Sequence, residues 1–363
     1  MLGLGNVGSA ALSRLQQWRD GPFGGRLRLV YAANSRQVFQ SGPGLCAPVD
    51  DGLSPETSAM LRSLQRGRVP VDRPLQPVAA ALGLAGCRIV IDATASQAVA
   101  DQHPHWLRQG IHVVTACKLG QGTSLQAFDA IREACVLAGS HYGDSAAVGA
   151  GLPLLRSLRE LRAGGDAIHA IAGVLSGSLA WLFNQYDGMR PFSGFVRQAR
   201  EAGYTEPDPR DDLSGEDVRR KILILARSAG FPLQSEDVEV DSLVPPALAA
   251  LTGAGVDAAL PLLDEPLRLR FAQAHRNGEV LRFIARFADG RASVGLQAVA
   301  ADHPLAGGSG TDNRVAIWSD RYRRQPLVIQ GPGAGAEVTA AGLLDDALAI
   351  QRAASSATGD GLH

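Results

Sequence analysis

Short apolar runs alternate with helix-like spacing in the first part of the chain. Runs at 27–34, 88–96 and 111–116 predict buried strands, while the spacing of apolar residues at 7–18 and 98–108 predicts helices. Strands that alternate with helices are typical of parallel βαβ units. The pattern therefore predicts an α/β fold with a Rossmann-like, doubly wound parallel sheet.

The pattern changes in the second part of the chain. Residues 167–183 predict a buried strand followed by a helix, and the pair Asp289–Gly290 between two alternating runs is typical of a β-hairpin. These elements predict a second domain of the α+β class. Longer helices are predicted at 153–162, 192–202 and 214–229.

These elements predict two domains. Residues 1–147 form a dinucleotide-binding domain, which residues 326–353 complete with an apolar strand, a glycine loop and a helix. Residues 148–325 form the α+β domain. Residues 354–363 carry few large apolar side chains and predict a disordered tail.

Composition narrows the possible functions. Of the 363 residues, 45% are apolar and 20% are charged, and the net charge of −1 favours neither nucleic acid nor an anionic membrane as a partner. The most apolar stretch, 167–183, is short for a membrane span and contains polar residues. The four cysteines lie far apart and no secretory signal is present, so we expect a reducing, cytoplasmic setting.

The chain begins MLGLGNVGSA, which contains the motif G-x-G-x-x-G. Such a loop places backbone N–H groups and a helix N-terminus against a dinucleotide pyrophosphate. The motif alone is weak evidence, but a helix, a strand and further βαβ units follow it. The residues expected to contact the cofactor here are Gly3, Gly5, Asn6, Val7 and Gly8.

The strand that normally precedes this loop is truncated, since only Met1 and Leu2 come before it. Losing about four buried apolar side chains would remove ~6–12 kcal/mol, against a total stability of ~5–15 kcal/mol. We therefore expect a stub at the sheet centre that leaves a gap or an exposed edge between neighbouring strands. We also expect that translation begins upstream and that an extension raises the melting temperature. The alternative that this chain is a catalytically weakened homologue, which lacks the first strand, stays open.

The end of the second predicted strand carries Asn34, Ser35 and Arg36 instead of the acidic residue that binds an NAD ribose. Ser35 and Arg36 are suited to accept a 2′-phosphate, so NADP is favoured and NAD is possible. The alternative is that Arg36 is a solvated loop residue.

The segment GYTEPDPRDDLSGEDVRRK, residues 203–221, concentrates acidic residues beside two prolines. Ser214 is a predicted N-cap for the following helix, with Asp217 as its capping-box acid. Asp217 and Lys221 are four residues apart on one helical face. An exposed ion pair of this kind contributes only ~0.3–0.5 kcal/mol, but the proline-stiffened loop would also hold Glu206 near the pair.

The chain resembles the homoserine dehydrogenase family over essentially its whole length. The resemblance implies reversible NAD(P)H-dependent reduction of L-aspartate 4-semialdehyde to L-homoserine, on the route to threonine and methionine. It also implies that the second domain binds substrate and forms a homodimer around 153–183. From the length we expect neither a kinase domain nor a regulatory ACT-type domain. The segments that carry the resemblance are GLGNVGSA, ANSR, DATASQAVAD, HVVTACK, VGAGLP, GVLSGSLAWLFN, 203–221, VLRF and QGPGAGAEVTAAG.

The resemblance implies a role for each candidate site residue. A lysine suits proton transfer to the alkoxide, because its ammonium stabilises negative charge and its pKa is adjustable by burial. Two lysines qualify for this role by resemblance: Lys221 would be the family's acid/base, oriented by Asp212, and Lys118 follows a parallel strand at its cofactor-facing end. The other expected contacts are Glu206 and Asp217 with the substrate amino group, Gly177, Ser178 and Tyr204 in the substrate pocket, and Thr94 and Gly335 at the nicotinamide end.

The family also binds a monovalent cation, usually sodium, through main-chain carbonyls. Relatives often have an acidic residue where this chain has Ser145, preceded by Asp144, so occupancy stays open. Carried over to this chain, the ligands are the carbonyls of Ser145, Val148, Ala150 and Leu152.

Ala116 and Cys117 stand where the family typically has Pro-Asn. A reactive Cys117 would indicate a phosphorylating semialdehyde dehydrogenase with an acyl-enzyme intermediate. A catalytic thiolate needs an activating histidine or a helix N-terminus, and only His112 on the preceding strand is near in sequence. We expect Cys117 to be a packed, inert thiol.

Overall fold

The computed structural model describes residues 1–18, 21–35, 38–40, 75 and 77–359. The chain divides into two compact units, one of Met1–Gly151 with Gly335–His363 and the other of Leu152–Ala334. The segment 326–334, predicted to belong with the first domain, therefore lies in the second unit. The reason is that its strand pairs with the sheet of that unit.

The first unit contains a parallel sheet, as predicted. Strand β3 pairs with β4 and β4 with β5, all parallel, while β1 and β2 form an antiparallel pair. Helices connect the parallel strands, as the alternation of apolar runs indicates. The elements are α1 (Asn6–Trp18), β1 (Tyr31–Ala33), β2 (Val38–Gln40), α2 (Pro77–Leu82), β3 (Ile89–Asp92), α3 (Gln97–Ala100), α4 (His103–Arg108), β4 (His112–Thr115), α5 (Leu125–Ala138) and β5 (Tyr142–Gly143).

Leu2 joins β1 to β3 at the centre of this sheet. Leu2 makes parallel bridges to Ala33 and to Asp92, and it is 2% exposed. Its N–H donates to the Ile91 carbonyl at 2.8 Å, and its carbonyl accepts from Ala93 N–H at 2.8 Å. The predicted stub at the sheet centre is therefore present.

Beside this stub lies an open cavity of about 390 Å³, lined by Met1 and by residues of 25–31 and 87–91. The predicted gap between neighbouring strands is thus confirmed. The predicted strand at 27–34 is regular only from Tyr31 to Ala33, which is where Met1 and Leu2 run alongside it. The buried amino group of Met1 donates to the Tyr31 carbonyl at 2.8 Å, and burial lowers its pKa to about 5.

The second unit is built on a six-stranded sheet in the order β11-β10-β6-β8-β9-β7. All neighbours are antiparallel except β7 and β9, which are parallel. Its elements are α6 (Leu154–Ala163), β6 (Ile168–Val174), α7 (Gly177–Gln185), α8 (Phe192–Glu201), α9 (Pro209–Leu213), α10 (Glu216–Ser228), β7 (Val238–Val240), α11 (Pro246–Ala249), α12 (Ala254–Ala259), α13 (Asp264–Arg276), β8 (Glu279–Ala288), β9 (Arg291–Ala300), β10 (Asp312–Ser319) and β11 (Leu327–Pro332).

The hairpin between β8 and β9 forms as the Asp289–Gly290 pair predicts. Both residues have positive φ, 51° and 75°, which is the conformation of a type I′ turn. Register is fixed along the whole pair, from Glu279 opposite Ala300 to Ala288 opposite Arg291. This hairpin is the platform against which α10 packs.

Helix α10 begins differently from the prediction. Its N-cap is Gly215, at φ 78°, and no side chain caps the helix there, so the predicted capping box of Ser214 and Asp217 is wrong. Ser214 instead ends α9, and its hydroxyl donates to the Asp211 carbonyl at 2.9 Å. The left-handed turn at Gly215 sets the direction of α10, because a glycine adopts that conformation without strain.

The last helix, α14 (Ala336–Gly359), returns to the first unit and packs against α1. Buried leucines and alanines along it, among them Leu343, Leu344 and Ala347, share a core with Met1 and Ile91. The predicted disordered tail is wrong for 354–359, because α14 continues through these residues. Among the described residues, no helix has the length and apolar character that a membrane crossing requires.

Candidate active site

Lys221 lies on the buried side of α10 and is 9% exposed. Its ammonium is 2.8 Å from the carboxylate of Asp217, as the spacing of the two residues predicts. It also donates to the Leu175 carbonyl at 2.8 Å, at the end of β6. Two acceptors on different elements therefore fix the position of the nitrogen that would exchange a proton.

Asp212 connects two parts of the predicted substrate pocket. Its Oδ1 accepts from the Ser178 hydroxyl at 2.6 Å, and its Oδ2 accepts from Glu206 N–H at 2.8 Å. Burial raises the pKa of Asp212, and the nearby charge of Asp217 contributes. The prediction that Asp212 orients Lys221 is untested. The carboxylate bonded to Lys221 here is that of Asp217.

The remaining predicted substrate residues lie around this pair of aspartates. Glu206 is exposed, and its loop is held by Asp212. Tyr204 is 45% exposed, with its ring 5.4 Å from that of Trp181. Gly177 begins α7, where the Ser176 side chain caps the helix. The second unit thus brings the Ser178 hydroxyl to Asp212, and the charge of Asp217, the partner of Lys221, acts on the same Asp212 carboxyl.

Asn313 on β10 was missed by the sequence reasoning. It is fully buried, and its amide donates at 3.3 Å to the same Leu175 carbonyl that accepts from Lys221. A β-carbon at Gly333 would overlap its carboxamide, so the glycine loop lies directly on Asn313. No local pattern marks this residue, because its partner is far away in the sequence.

The glycine loop of the first unit is sterically required. A β-carbon at Gly8 would overlap the Gly3 carbonyl oxygen, and one at Gly3 would lie 2.6 Å from the Ala93 carbonyl oxygen. Gly3 also has φ 85°. At Gly5, by contrast, a β-carbon would meet nothing within 4 Å. Gly5 therefore faces open space, so a ligand can come close to the protein backbone at this residue.

A cavity of about 500 Å³ opens at this loop, at the N-terminus of α1. A dinucleotide fits this donor set, because a glycine-lined cleft and a helix N-terminus favour a pyrophosphate. Arg36, the second predicted phosphate contact, lies outside the described residues. The cavity is lined by 2–5, 33–35, Thr94 and Ser96, among others, so it includes the predicted contacts Gly3, Gly5, Ser35 and Thr94.

The other predicted cofactor contacts follow strand ends. Lys118 is half-buried on the loop after β4, where its carbonyl accepts from Gly122 N–H at 2.6 Å. Gly335 has φ 124° and precedes α14. Asn6 and Val7 form the first turn of α1. Parallel strands place the residues that follow them at one edge of the sheet, which is where ligands bind in such folds.

Cys117 is a buried thiol. It is 3% exposed, and burial raises the pKa of its thiol to about 11, with the charge of Asp92 contributing. The thiolate needed for acyl transfer is therefore scarce near neutral pH. This observation disfavours the phosphorylating semialdehyde dehydrogenase.

The predicted cation ligands lie near an unforeseen carboxylate. Ser145 donates to Asp346 through both its N–H and its hydroxyl, each at 2.8 Å. Asp346 lies on α14 and is buried, so it places an acid directly beside Ser145. Ala150 has φ 53°, and Val148 and Ala150 are buried. No group of three or more His, Cys, Asp or Glu side chains suited to a metal occurs among the described residues.

A glycine loop that admits a dinucleotide, together with a buried lysine–carboxylate cluster, defines a class: the NAD(P)-dependent oxidoreductases. Two family models match the chain. The model described as homoserine dehydrogenase matches residues 153–348, and that described as its NAD binding domain matches residues 3–142.

Similar proteins agree with these matches. A homoserine dehydrogenase of Paracoccidioides brasiliensis is 37% identical over 368 residues, covering 96% of each chain. The chloroplastic bifunctional aspartokinase/homoserine dehydrogenase 2 of Zea mays is 44% identical over 266 residues, covering 72% of this chain. The chain spans only 29% of the length of that bifunctional relative.

Solved structures show the same fold. A Candida auris protein of unknown function has a TM-score of 0.84 at 35% identity, covering 97% of this chain and 96% of that one. A hyperthermophilic archaeal homoserine dehydrogenase mutant in complex with NADPH has a TM-score of 0.71 at 21% identity, covering 96% and 95%. That second likeness shows the fold alone.

The chain belongs to the homoserine dehydrogenase family. The alternative of a weakened homologue is not favoured, because the NAD-binding model matches from residue 3, through the glycine loop.

Proposed function

We propose that the protein catalyses the reversible NADPH-dependent reduction of L-aspartate 4-semialdehyde to L-homoserine, a step towards threonine and methionine. The observation that carries this proposal is the buried Lys221, held by Asp217 and the Leu175 carbonyl beside the Asp212 cluster. Family membership supplies the substrate class. The archaeal relative in complex with NADPH supports a nicotinamide cofactor.

Carboxylates are the natural partners of an amino-acid ammonium group. Glu206 and Asp217 are proposed to bind the substrate amino group. Asp212 would keep Glu206 and Ser178 in place through the two hydrogen bonds it accepts. Gly177 and Tyr204 would line the rest of the substrate pocket. The aldehyde would then be presented to Lys221.

Lys221 is proposed to move the proton. When bound, the nicotinamide supplies the hydride that the aldehyde carbon accepts. Lys221 Nζ donates a proton to the carbonyl oxygen as negative charge develops there, and in the reverse direction it accepts the hydroxyl proton. Asp217 and the Leu175 carbonyl hold that nitrogen during both directions. Lys118 would contribute a second positive charge at the cofactor edge.

Lysine usage in the sequence supports these two assignments. Only two of the 35 lysine and arginine residues are lysines, and they are Lys118 and Lys221. Arginine supplies positive charge everywhere else but does not release its proton in proteins. A chain that uses lysine at these two positions alone is therefore consistent with a requirement for a titratable cation.

For the coenzyme we propose NADP in preference to NAD, from Ser35 and Arg36. Arg36→Asp should shift the ratio of kcat/KM towards NAD, because a carboxylate repels the 2′-phosphate and binds the ribose hydroxyl. An unchanged ratio would show that Arg36 is only a surface residue. Ser35→Ala is the milder companion variant.

For the cation we propose a structural sodium held by the carbonyls of Ser145, Val148, Ala150 and Leu152. Asp346 would supply the carboxylate that favours a cation there. Carbonyl oxygens suit a hard cation. We also propose a homodimer formed by the second unit, which light scattering at micromolar concentration tests. The cytoplasmic setting and the absence of a nucleic-acid partner stay predictions.

A steady-state assay tests the proposed activity. The protein is mixed with L-aspartate 4-semialdehyde and either NADPH or NADH, without phosphate, and loss of reduced cofactor is followed by absorbance. We expect turnover with both cofactors and a higher kcat/KM with NADPH. No turnover with either cofactor, at concentrations where NADPH binds, would overturn the proposal.

A further inference from the structure

A buried carboxylate lies at the cofactor-facing end of the parallel sheet. Asp92 is the last residue of β3 and is fully buried. Its Oδ1 accepts from the backbone N–H of Thr94 at 2.9 Å. Its Oδ2 lies 3.1 Å from His103 Nε2 and accepts from the Thr115 hydroxyl at 3.2 Å. Asp92 thus touches two loops and a helix.

His103 extends this contact to a third strand. It is fully buried at the start of α4, and its Nδ1 lies 2.9 Å from the hydroxyl of Tyr142 on β5. A carboxylate only accepts hydrogen bonds, so the ring donates from Nε2 to Asp92, and its Nδ1 pairs with the Tyr142 hydroxyl. Burial raises the pKa of Tyr142, which keeps its hydroxyl protonated. Every polar atom along this chain of residues then has a partner.

The same residues fix the loop that carries Lys118. The Thr115 hydroxyl donates to Asp92 and accepts from Cys117 N–H at 2.8 Å. Ala116 N–H donates to the Asp92 carbonyl at 3.0 Å. A β-carbon at Gly120 would lie 3.2 Å from the Tyr142 hydroxyl, so the loop beyond Lys118 also packs against Tyr142.

Burying the Asp92 carboxyl would destabilise the fold if its oxygens lacked hydrogen-bond donors. An ionised carboxylate removed from water is tolerated only when its oxygens are hydrogen-bonded, and apolar residues of similar volume would pack the sheet as well. The set therefore contributes something other than packing. What it does geometrically is to tie the loop after β3, with Thr94, to the loop after β4, with Lys118.

We propose that Asp92, His103 and Tyr142 form a positioning network that holds Thr94 and Lys118 for the cofactor. This inference rests on the proposed function, in which Lys118 lies at the cofactor edge, and on the expected contact of Thr94 with the nicotinamide end. The three network residues touch neither substrate nor cofactor in this account. They act through backbone and hydroxyl groups, and a misplacement of even 1 Å at a reacting centre reduces rates strongly.

The test compares two variants of His103. His103→Gln keeps an N–H that reaches Asp92, whereas His103→Leu fills the space without a donor. We expect His103→Leu to weaken NADPH binding and lower kcat by about tenfold each, and His103→Gln to recover most of both, since a buried acceptor left without a donor is costly. The KM for semialdehyde should stay within about twofold in both variants, because the substrate residues lie in the other unit.

Tyr142→Phe removes only the hydrogen bond between Tyr142 and His103. It should weaken NADPH binding and lower kcat by less than His103→Leu does. Tyr186→Phe is the control, since Tyr186 is a buried tyrosine that packs on Phe192, Phe195 and Phe271 in the second unit. NADPH binding is measured by fluorescence without substrate. Folding is checked by melting temperature.

Amine labelling supplies a second readout, because Lys118 and Lys221 are the only lysines. NADPH should protect Lys118 in the wild type and His103→Gln, and less in His103→Leu. A folded His103→Leu with wild-type NADPH affinity, kcat and protection would overturn the network. So would a wild type that does not bind NADPH at all. A wild type that binds NADPH but does not reduce semialdehyde would overturn the proposed function alone.

Discussion

The ammonium nitrogen of Lys221 lies 2.8 Å from the carboxylate of Asp217, one turn earlier on the same helix. On an exposed helix this pair would contribute only ~0.3–0.5 kcal/mol. Here the lysine is buried and also donates to the Leu175 carbonyl. In the proposed function this pair places the nitrogen that exchanges the proton.

Replacing Lys118 and replacing Lys221 should have different effects on NADPH affinity. Lys221→Met and Lys118→Met keep most of the apolar stem and remove the charge. Each should reduce kcat by ~100-fold or more, the usual scale for a positioned proton donor. NADPH affinity should fall for Lys118→Met and stay close to wild type for Lys221→Met. Near-normal turnover in both variants would remove the lysines from the mechanism.

The glycine loop offers a matched pair. Gly8→Ala places a β-carbon on the Gly3 carbonyl oxygen, so it should lower the melting temperature. Gly5→Ala meets no protein atom within 4 Å, so the melting temperature should be unchanged while NADPH binding weakens by about tenfold. Calorimetry and a binding titration check the two effects. Unaltered NADPH affinity in Gly5→Ala would show that the cofactor does not approach this loop.

Acid pH should impair substrate binding through Asp212. Burial raises the pKa of this carboxyl, and its ionised form accepts the hydrogen bonds from Ser178 and from the Glu206 backbone. Protonation on lowering the pH removes acceptor capacity, so kcat/KM for semialdehyde should fall at a pH above the usual aspartate range. In Asp212→Asn this acid limb should disappear while the maximal kcat/KM is lower. A limb that persists in Asp212→Asn belongs to another group.

Cys117 should be dispensable for the chemistry. Because the pKa of its thiol is about 11, Cys117 should react slowly with iodoacetamide at pH 8, and more slowly than the exposed Cys87. Cys117→Ser should retain turnover within about threefold, since a serine replaces a small packed group and no nucleophile is lost. Phosphate should have no effect on the rate. Loss of activity together with a phosphate requirement would reinstate the acyl-enzyme mechanism.

Much of the fold follows from local pattern. The parallel strands β3 and β4, the β8–β9 hairpin and the ion pair of Asp217 with Lys221 are all set by spacing within a short segment. The start of α10 and the course of 354–359 were misjudged, because the left-handed Gly215 stands where a side-chain N-cap was expected and α14 continues beyond residue 353.

The contacts that complete the sites come from long-range pairing. Asn313 reaches the Leu175 carbonyl, Asp346 reaches Ser145, and His103 reaches Tyr142, and in each case the partners are far apart in the chain. Single polar residues in apolar segments give no periodic signal that would pair them. Residues 326–334 likewise belong to the second unit because β11 pairs with β10. The alternation of apolar and polar residues does not specify which strands pair.

Isotope transfer tests the central claim most directly. NADPH deuterated at C4 of the nicotinamide is incubated with the protein and L-aspartate 4-semialdehyde, and the product is examined by mass spectrometry and NMR. The account predicts L-homoserine with one deuterium on C4, formed without phosphate and ~100-fold or more slowly by Lys221→Met. Homoserine free of deuterium, or a phosphorylated or enzyme-linked acyl product, would contradict it.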